Sequence, residues 1–163
     1  MLVLFLAAFS CCAKEQARTA PRREADALRV ITTAPALTEI VADLGAADLL
    51  VACDRYSAQA AGVPEGLPLV DFFSPDVEAL LTLDADLVFA AEINRVEDGA
   101  NPFSLLEGAG ARVIFLPTCA NLDGIYADIL TIAAALRRPE QGEALVRTMR
   151  DEIAALTGGG GGG

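Results

Sequence analysis

The sequence predicts an α/β domain in which a parallel sheet is flanked by helices. Short runs that are apolar on both faces alternate with segments of helical period. The runs are rich in Val, Ile, Leu and Phe, and Gly, Pro, Ser or Asn punctuate the junctions between them. Strands alternating with helices imply a doubly wound, Rossmann-like sheet with its binding loops at the strand carboxyl ends. The length of 163 residues suits one ordinary domain, and 53% hydrophobic with 6% aromatic residues suits an aliphatic core.

The elements follow in order from Leu28. "LRVITT" is β-rich and reads as the first strand. In "PALTEIVADLG", Leu37, Ile40, Val41 and Leu44 recur at helical spacing and Gly45 supplies the stop. "ADLLVAC" is the second strand, and "DRYSAQAAGVPEGLPLVDFF" is a long loop ending in a short strand. Ser74 is the expected N-cap of the next helix, with Pro75 at its first position and Asp76 complementing the dipole. Val77, Leu80 and Leu81 would form its apolar face. "ADLVFAA" reads as a central strand, "NPFSLLEGAGA" as a short helix and "RVIFL" as the next strand. Asn121 caps a helix carrying Leu122, Ile125, Ile129, Ile132 and Leu136. Pro139 opens a last helix to Leu156, about 27 Å long at 1.5 Å per residue. Its stripe is Leu145, Met149, Ile153 and Leu156.

Composition excludes several functions. Twelve Lys and Arg stand against 23 acids, a net charge of −11 that argues against nucleic acid and against a polybasic contact with anionic lipid. The absence of histidine rules out Ser-His-Asp and Cys-His catalysis and removes the commonest zinc ligand. There is no Gly-x-Ser-x-Gly and no phosphate-binding Gly-rich loop; "GAGAR" turns into a strand, not a helix. The chain is therefore not expected to be an enzyme, and no cofactor or metal is expected.

"MLVLFLAAFSCC" is too short an apolar run to span a bilayer but fits a signal-peptide core. Ser10 followed by cysteine looks like a bacterial lipoprotein signal over residues 1–11, with Cys11 as the lipidated residue. Residues 12–27 are polar and charged and read as a flexible tether. Cys53 and Cys119 read as buried free thiols, with a disulfide left open.

The order of these pieces resembles the iron-siderophore and vitamin B12 class of ABC-transporter substrate-binding proteins. The likeness rests on "RVITTAPALTEIVADLGAADLLVACDRYS", "LVDFFSPDVEALLTLDADLVFA" and "GARVIFL". The family typically shows a Pro-x-x-Thr-Glu helix start, a Leu-Gly stop and a Gly-Val-x-x-Tyr-Ser strand end. It continues with Asn-Pro-(Asn/Asp)-Leu-Glu at a helix start and Lys-Pro-Asp-Leu-Val at a strand start. Here Ala52-Cys53 replaces Gly-Val, Ser74 replaces Asn, and Asp84-Ala85-Asp86 replaces Lys-Pro-Asp. The resemblance implies two α/β lobes joined by one long helix, with the ligand between them. On that reading residues 28–138 form an amino-terminal lobe, 139–157 the joining helix and 158–163 a glycine tail, and the second lobe is missing.

Several side chains gain expected roles. Glu78 read alone is a solvated acid in a first helical turn; the resemblance implies docking on the membrane permease. Glu39, near a helix start, is expected to be structural. The resemblance places Tyr56 and Phe72 on the ligand cleft, and flat rings suit corrin, porphyrin or catecholate packing. Phe73 is expected to turn inward. Glu92 and Asn94, at the next strand end, could reach the ligand, and Arg55 and Arg95 could hold an anionic chelate.

The function implied is the substrate-binding component of an importer for iron-siderophore, haem or cobalamin, partnered by an ABC permease and lipid-anchored outside the cytoplasm. The alternative is a one-lobe interaction protein or a remnant without ligand. The six terminal glycines add a further expectation: if their codons are mostly GGG, the tract is prone to slippage. A second lobe encoded downstream in another frame would support that reading, and mixed glycine codons followed by unrelated DNA would refute it.

Overall fold

The computed structural model describes residues 27–95 and 101–158. The expected signal segment with Cys11, the tether up to residue 26 and the glycine tail from residue 159 lie outside the described residues. Five strands build the sheet: β1 (Val30–Thr32), β2 (Leu50–Asp54), β3 (Leu69–Val70), β4 (Leu87–Ala91) and β5 (Arg112–Leu116). Their order is β3-β2-β1-β4-β5, and every pairing is parallel. Val30 pairs with Leu50 and Ile31 with Ala52, so β2 carries one extra residue at that point.

Among the described residues five α-helices accompany the sheet: α1 (Pro35–Asp43), α2 (Val77–Leu81), α3 (Ser104–Gly108), α4 (Leu122–Ala135) and α5 (Pro139–Gly158), the last packed on α4. Alternation along the strands divides the core between two faces. Val30, Leu87 and Phe89 pack with Leu37 and Val41 of α1, Ile129 and Ile132 of α4, and Val146 of α5. Ile31, Val88 and Ala90 pack on the opposite face with Leu80 of α2 and with Phe103 and Leu106 beside and within α3. Because both faces are covered, β4 is buried on both, as its continuous apolar run predicts.

The stops of α1 and α4 are built to one pattern. After α1, Gly45 donates to the Ala42 carbonyl at 2.8 Å and Ala46 to the Val41 carbonyl at 3.0 Å. This paired arrangement requires a left-handed residue, and Gly45 has φ +67°. After α4 the same pair of bonds forms from Arg137 and Arg138, with Arg137 at φ 60° where glycine is usual. The neighbouring Arg138 guanidinium reaches the Leu44 and Gly45 carbonyls at 3.1 and 2.5 Å and so covers the α1 carboxyl end.

Two expectations for the α2 region are corrected. The cap is Asp76, whose carboxylate accepts from the Ala79 N–H at 3.0 Å, and not Ser74. Asp71 takes the Phe73 and Ser74 N–H groups at 2.9 and 3.1 Å, which holds Ser74 in a turn and starts the helix at Val77. In so short a helix Leu80 alone is buried, and Leu81, about 100° round the axis, is 38% exposed. Leu122 of α4 and Leu156 of α5 are likewise exposed, the latter to 82%, so neither belongs to the packed stripe.

The α4–α5 contact depends on a glycine that the apolar pattern does not reveal. A Cβ added to buried Gly142 would lie 2.5 Å from the Ala133 Cβ. Neither group can rotate away, so Gly142→Ala is expected to force the helices apart and cost about 1–3 kcal/mol. Gly108→Ala in α3 meets nothing within 4 Å and should be neutral or slightly stabilising. Thermal or urea unfolding of the two variants checks the contrast; equal midpoints would show that the helices are not in close contact.

Candidate functional site

The chain leaves β1 towards β2 and β3 on one side and returns to β4 and β5 on the other. Loops from the carboxyl ends of β1 and β4 therefore part at the centre of the sheet, where open α/β sheets keep their binding crevice. At this edge stand Thr33 after β1, Asp54 at the end of β2, Asp71 to Phe73 after β3, the 3-10 turn Glu92–Asn94 after β4, and Pro117 to Cys119 after β5.

Two buried polar clusters hold the edge together. Asp54 is fully buried, and its carboxylate accepts from the Thr38 hydroxyl at 2.8 Å and from the N–H groups of Tyr56 and Ser57 at 2.9 and 3.1 Å. Thr32 and Thr38 share a hydroxyl hydrogen bond of 2.7 Å beneath it. In the second cluster the Thr33 hydroxyl donates to the Asn94 Oδ1 at 2.7 Å and accepts from the Ala91 N–H at 3.1 Å. The Asn94 amide Nδ2 donates to the Phe72 carbonyl at 2.5 Å.

A cleft of about 690 Å³ opens between α1, α4 and α5 at the same edge. Its wall includes Phe72, Ile93, Leu116, Ile125, Leu145 and Met149, and Glu39, Asp43 and Asp128 supply carboxylates among them. Phe72 is half-buried and meets Phe73 edge-to-face at 4.9 Å between ring centroids. Phe73 is 77% exposed, which corrects the expectation that it turns inward. The apolar space behind the loop is already occupied by Phe72, which packs on the core, leaving Phe73 the solvent side.

The other candidate residues are dispersed. Tyr56, beyond the end of β2, is 68% exposed and is not among the cleft-lining residues; its backbone is set by Asp54. Arg55 pairs with Asp71 at 2.6 Å. The N–H groups of Phe73 and Ser74, and then Arg55, hold the Asp71 carboxyl below the usual carboxylate range. Glu92 pairs with Arg95 at 2.7 Å, and the Arg95 guanidinium lies 3.8 Å over the Phe115 ring. Asn94 is 9% exposed. Glu78 is exposed in the first turn of α2, whose amino end opens on the crevice edge. Glu39 is exposed on α1 and contributes to the cleft lining.

Residues 30–158 match the model of a family described as periplasmic binding protein. The chain belongs to that family. No curated protein matches it. Among solved structures it is similar to the periplasmic haem-binding protein HutB of Vibrio cholerae, at 23% identity and a TM-score of 0.71, over 82% of this chain and 51% of that one. It is similar to a periplasmic haem-binding protein of Pseudomonas aeruginosa at 25% identity and a TM-score of 0.67, over 79% and 45% of the two chains. It is also similar to the periplasmic vitamin B12-binding protein BtuF of Vibrio cholerae at 28% identity and a TM-score of 0.61, over 78% and 49%. The chain spans about half the length of these structures. Its parallel five-strand sheet with flanking helices is thus a single lobe of the periplasmic binding protein fold, ending in the long helix α5. The family is one of binding proteins and not of enzymes, in line with the composition.

Cys119 is a part of this periplasmic binding protein lobe that residue patterns did not single out as a site. Its thiol donates to Asp128 Oδ2 at 2.9 Å on the cleft wall, and Gly124 leaves room for the sulfur, since a Cβ there would lie 3.1 Å from it. The hydrogen bond to Asp128, helped by burial and by the carboxylate charge, pushes the thiol up to about 11. Cys53 is raised too, by burial and then by Asp54. Both are free thiols; Cys53 in β2 is buried as expected, whereas Cys119, beyond the end of β5, is only partly buried, which corrects that expectation.

With the folded thiol raised, the Asp128 contact stabilises the fold fully below the unfolded thiol range near 9 and is lost as pH rises towards about 11. At pH 8 Cys119 should alkylate about a hundredfold more slowly than an ordinary thiol. Asp128→Asn is expected to raise that rate at least about tenfold. Iodoacetamide labelling followed by peptide mass mapping measures Cys119 separately; an unchanged rate in the variant would exclude Asp128 as the cause.

Proposed function

We propose that this chain forms one wall of the ligand cleft of an exported substrate-binding protein serving an ABC importer for an iron chelate, haem or cobalamin. The observation that carries the reading is the crevice at the β1/β4 switch point in a member of this family, with Phe72 on its wall and the exposed Phe73 beside that ring. Flat aromatic faces beside an apolar wall suit a macrocycle or a bulky chelate. The relatives named above are described as haem or vitamin B12 binders, which supports the same ligand classes.

The charge of the wall narrows the choice. Glu39, Asp43 and Asp128 line the cleft, and no Lys or Arg stands among its lining residues. Arg55 and Arg95 are engaged by Asp71 and Glu92. Such a surface favours a neutral corrinoid or a cationic chelate over a trianion. No bond is made or broken in this function: ligand is captured, the cleft closes modestly, and the loaded protein docks on its permease. A second lobe following α5 would supply the facing wall, Glu78 would enter a basic site on the permease, and a lipid on Cys11 would hold the protein at the membrane.

Equilibrium dialysis against cyanocobalamin, a cationic ferric trihydroxamate and a trianionic ferric tris-catecholate tests the reading. One of the first two is expected to bind, and Tyr56→Ala or Phe72→Ala to weaken it about tenfold. If neither this chain nor any longer product of its gene binds any of the three or haemin, the reading is wrong. Glu78→Arg should leave ligand retention unchanged while abolishing stimulation of the permease's ATP hydrolysis; undiminished stimulation would remove Glu78 from the docking surface.

A further inference from the structure

We infer that Asn94 acts on the cleft from behind, as a positioning residue that clasps three of its loops and sets the Phe72 ring on the wall. The clasp deepens the proposed ligand-binding role and, for its effect on affinity, rests on that reading.

Asn94 follows β4, Thr33 follows β1 and Phe72 follows β3, so the three segments lie well apart along the chain. One planar amide joins all three segments: its oxygen accepts from the Thr33 hydroxyl and its nitrogen donates to the Phe72 carbonyl. Thr33 passes the linkage on to β4 by accepting from the Ala91 N–H. Asn94 is 9% exposed and is not among the residues lining the cleft, whereas Phe72 is. A buried amide with both ends engaged has little left to offer a ligand, and breaking it leaves a carbonyl or hydroxyl without its partner. The Phe72 carbonyl lies one residue from Asp71, whose carboxylate holds the next two N–H groups. With its peptide tied on both sides, the Phe72 ring stands on fixed backbone, packed on the core and against Phe73 at the cleft wall.

Asn94→Asp keeps the size of the side chain and the oxygen facing Thr33 but removes the donor to Phe72. Carbon-labelled phenylalanine gives one set of ring signals per residue, with Phe72 assigned through Phe72→Leu. In Asn94→Asp the Phe72 and Phe73 signals should shift together while buried Phe89 and Phe103 stay in place, which shows an intact fold. Unmoved Phe72 signals in a folded variant would overturn the inference with no ligand involved. The second arm uses cyanocobalamin as the probe in a double-mutant cycle. Asn94→Asp should weaken binding about tenfold in the native background and hardly at all once Phe72→Ala is present. Additive losses would show that Asn94 touches the ligand itself and would also overturn it. Failure of the native chain to bind cyanocobalamin would count against the corrinoid arm of the proposed function, while the ring signals still decide the clasp.

Discussion

Everything in this lobe depends on β1 being enclosed by hydrogen bonds on both edges and by helices on both faces. Its three residues, Val30, Ile31 and Thr32, are fully buried, and they pair with β2 on one side and β4 on the other. Right-handed crossovers then dictate where each helix can lie. Moving outward from β1 to β2 puts α1 on one face, and the reverse movement, through α2 and α3, puts those helices on the opposite face. The same reversal separates the loops after β1 and β4. The crevice is thus a consequence of strand order and requires no special loop sequence of its own.

A crevice at the end of buried strands brings polar groups into the interior, where each costs free energy unless it is paired. The chain answers with hydroxyls and one carboxylate placed directly under the mouth. Thr32, Thr38 and Asp54 satisfy one another and two backbone N–H groups; Thr33 and Asn94 do the same on the β4 side. Among the described residues no buried side-chain polar atom is left without a partner. These clusters make the floor rigid, so the aromatic residues above it stand on fixed backbone and not on wandering loops.

The fold was readable in the sequence because its signals are local and repeated. β5 coincides with the run "RVIFL", Gly45 stops α1, and Asn121 caps α4 by accepting from the Gly124 N–H at 2.9 Å. What escaped the sequence depends on distant partners. The start of α2 moves from Ser74 to Asp76 because Asp71 holds the Phe73 and Ser74 N–H groups in a turn and Asp76 takes the Ala79 N–H. Gly142 looks like a poor helix residue until Ala133 is brought against it. The candidate site divides in the same way. Phe72 could be placed near the crevice from its position after a strand, and it lines the cleft, but the union of Asn94 with Thr33 spans 61 residues and leaves no periodic trace.

That division explains what remains for recognition at the mouth. Arg55 is held by Asp71, Arg95 by Glu92 and the Phe115 ring, Asn94 by Thr33 and Phe72, and Asp54 by Thr38 and two N–H groups. These polar groups are engaged in fixing loops, and a ligand would have to compete with an existing bond to recruit any of them. The surfaces free of such duty are the rings of Tyr56, Phe72 and Phe73, the exposed Ile93 and the apolar wall beneath. Binding on this wall would then draw mainly on apolar area and ring contact, with carboxylates setting the sign of the field. On the proposed reading, affinity on this side should depend little on ionic strength for a neutral corrinoid and more for a cationic chelate. A ligand whose recognition needs several convergent cations would have to find them elsewhere, because no Lys or Arg lines this wall and Arg55 and Arg95 are already paired.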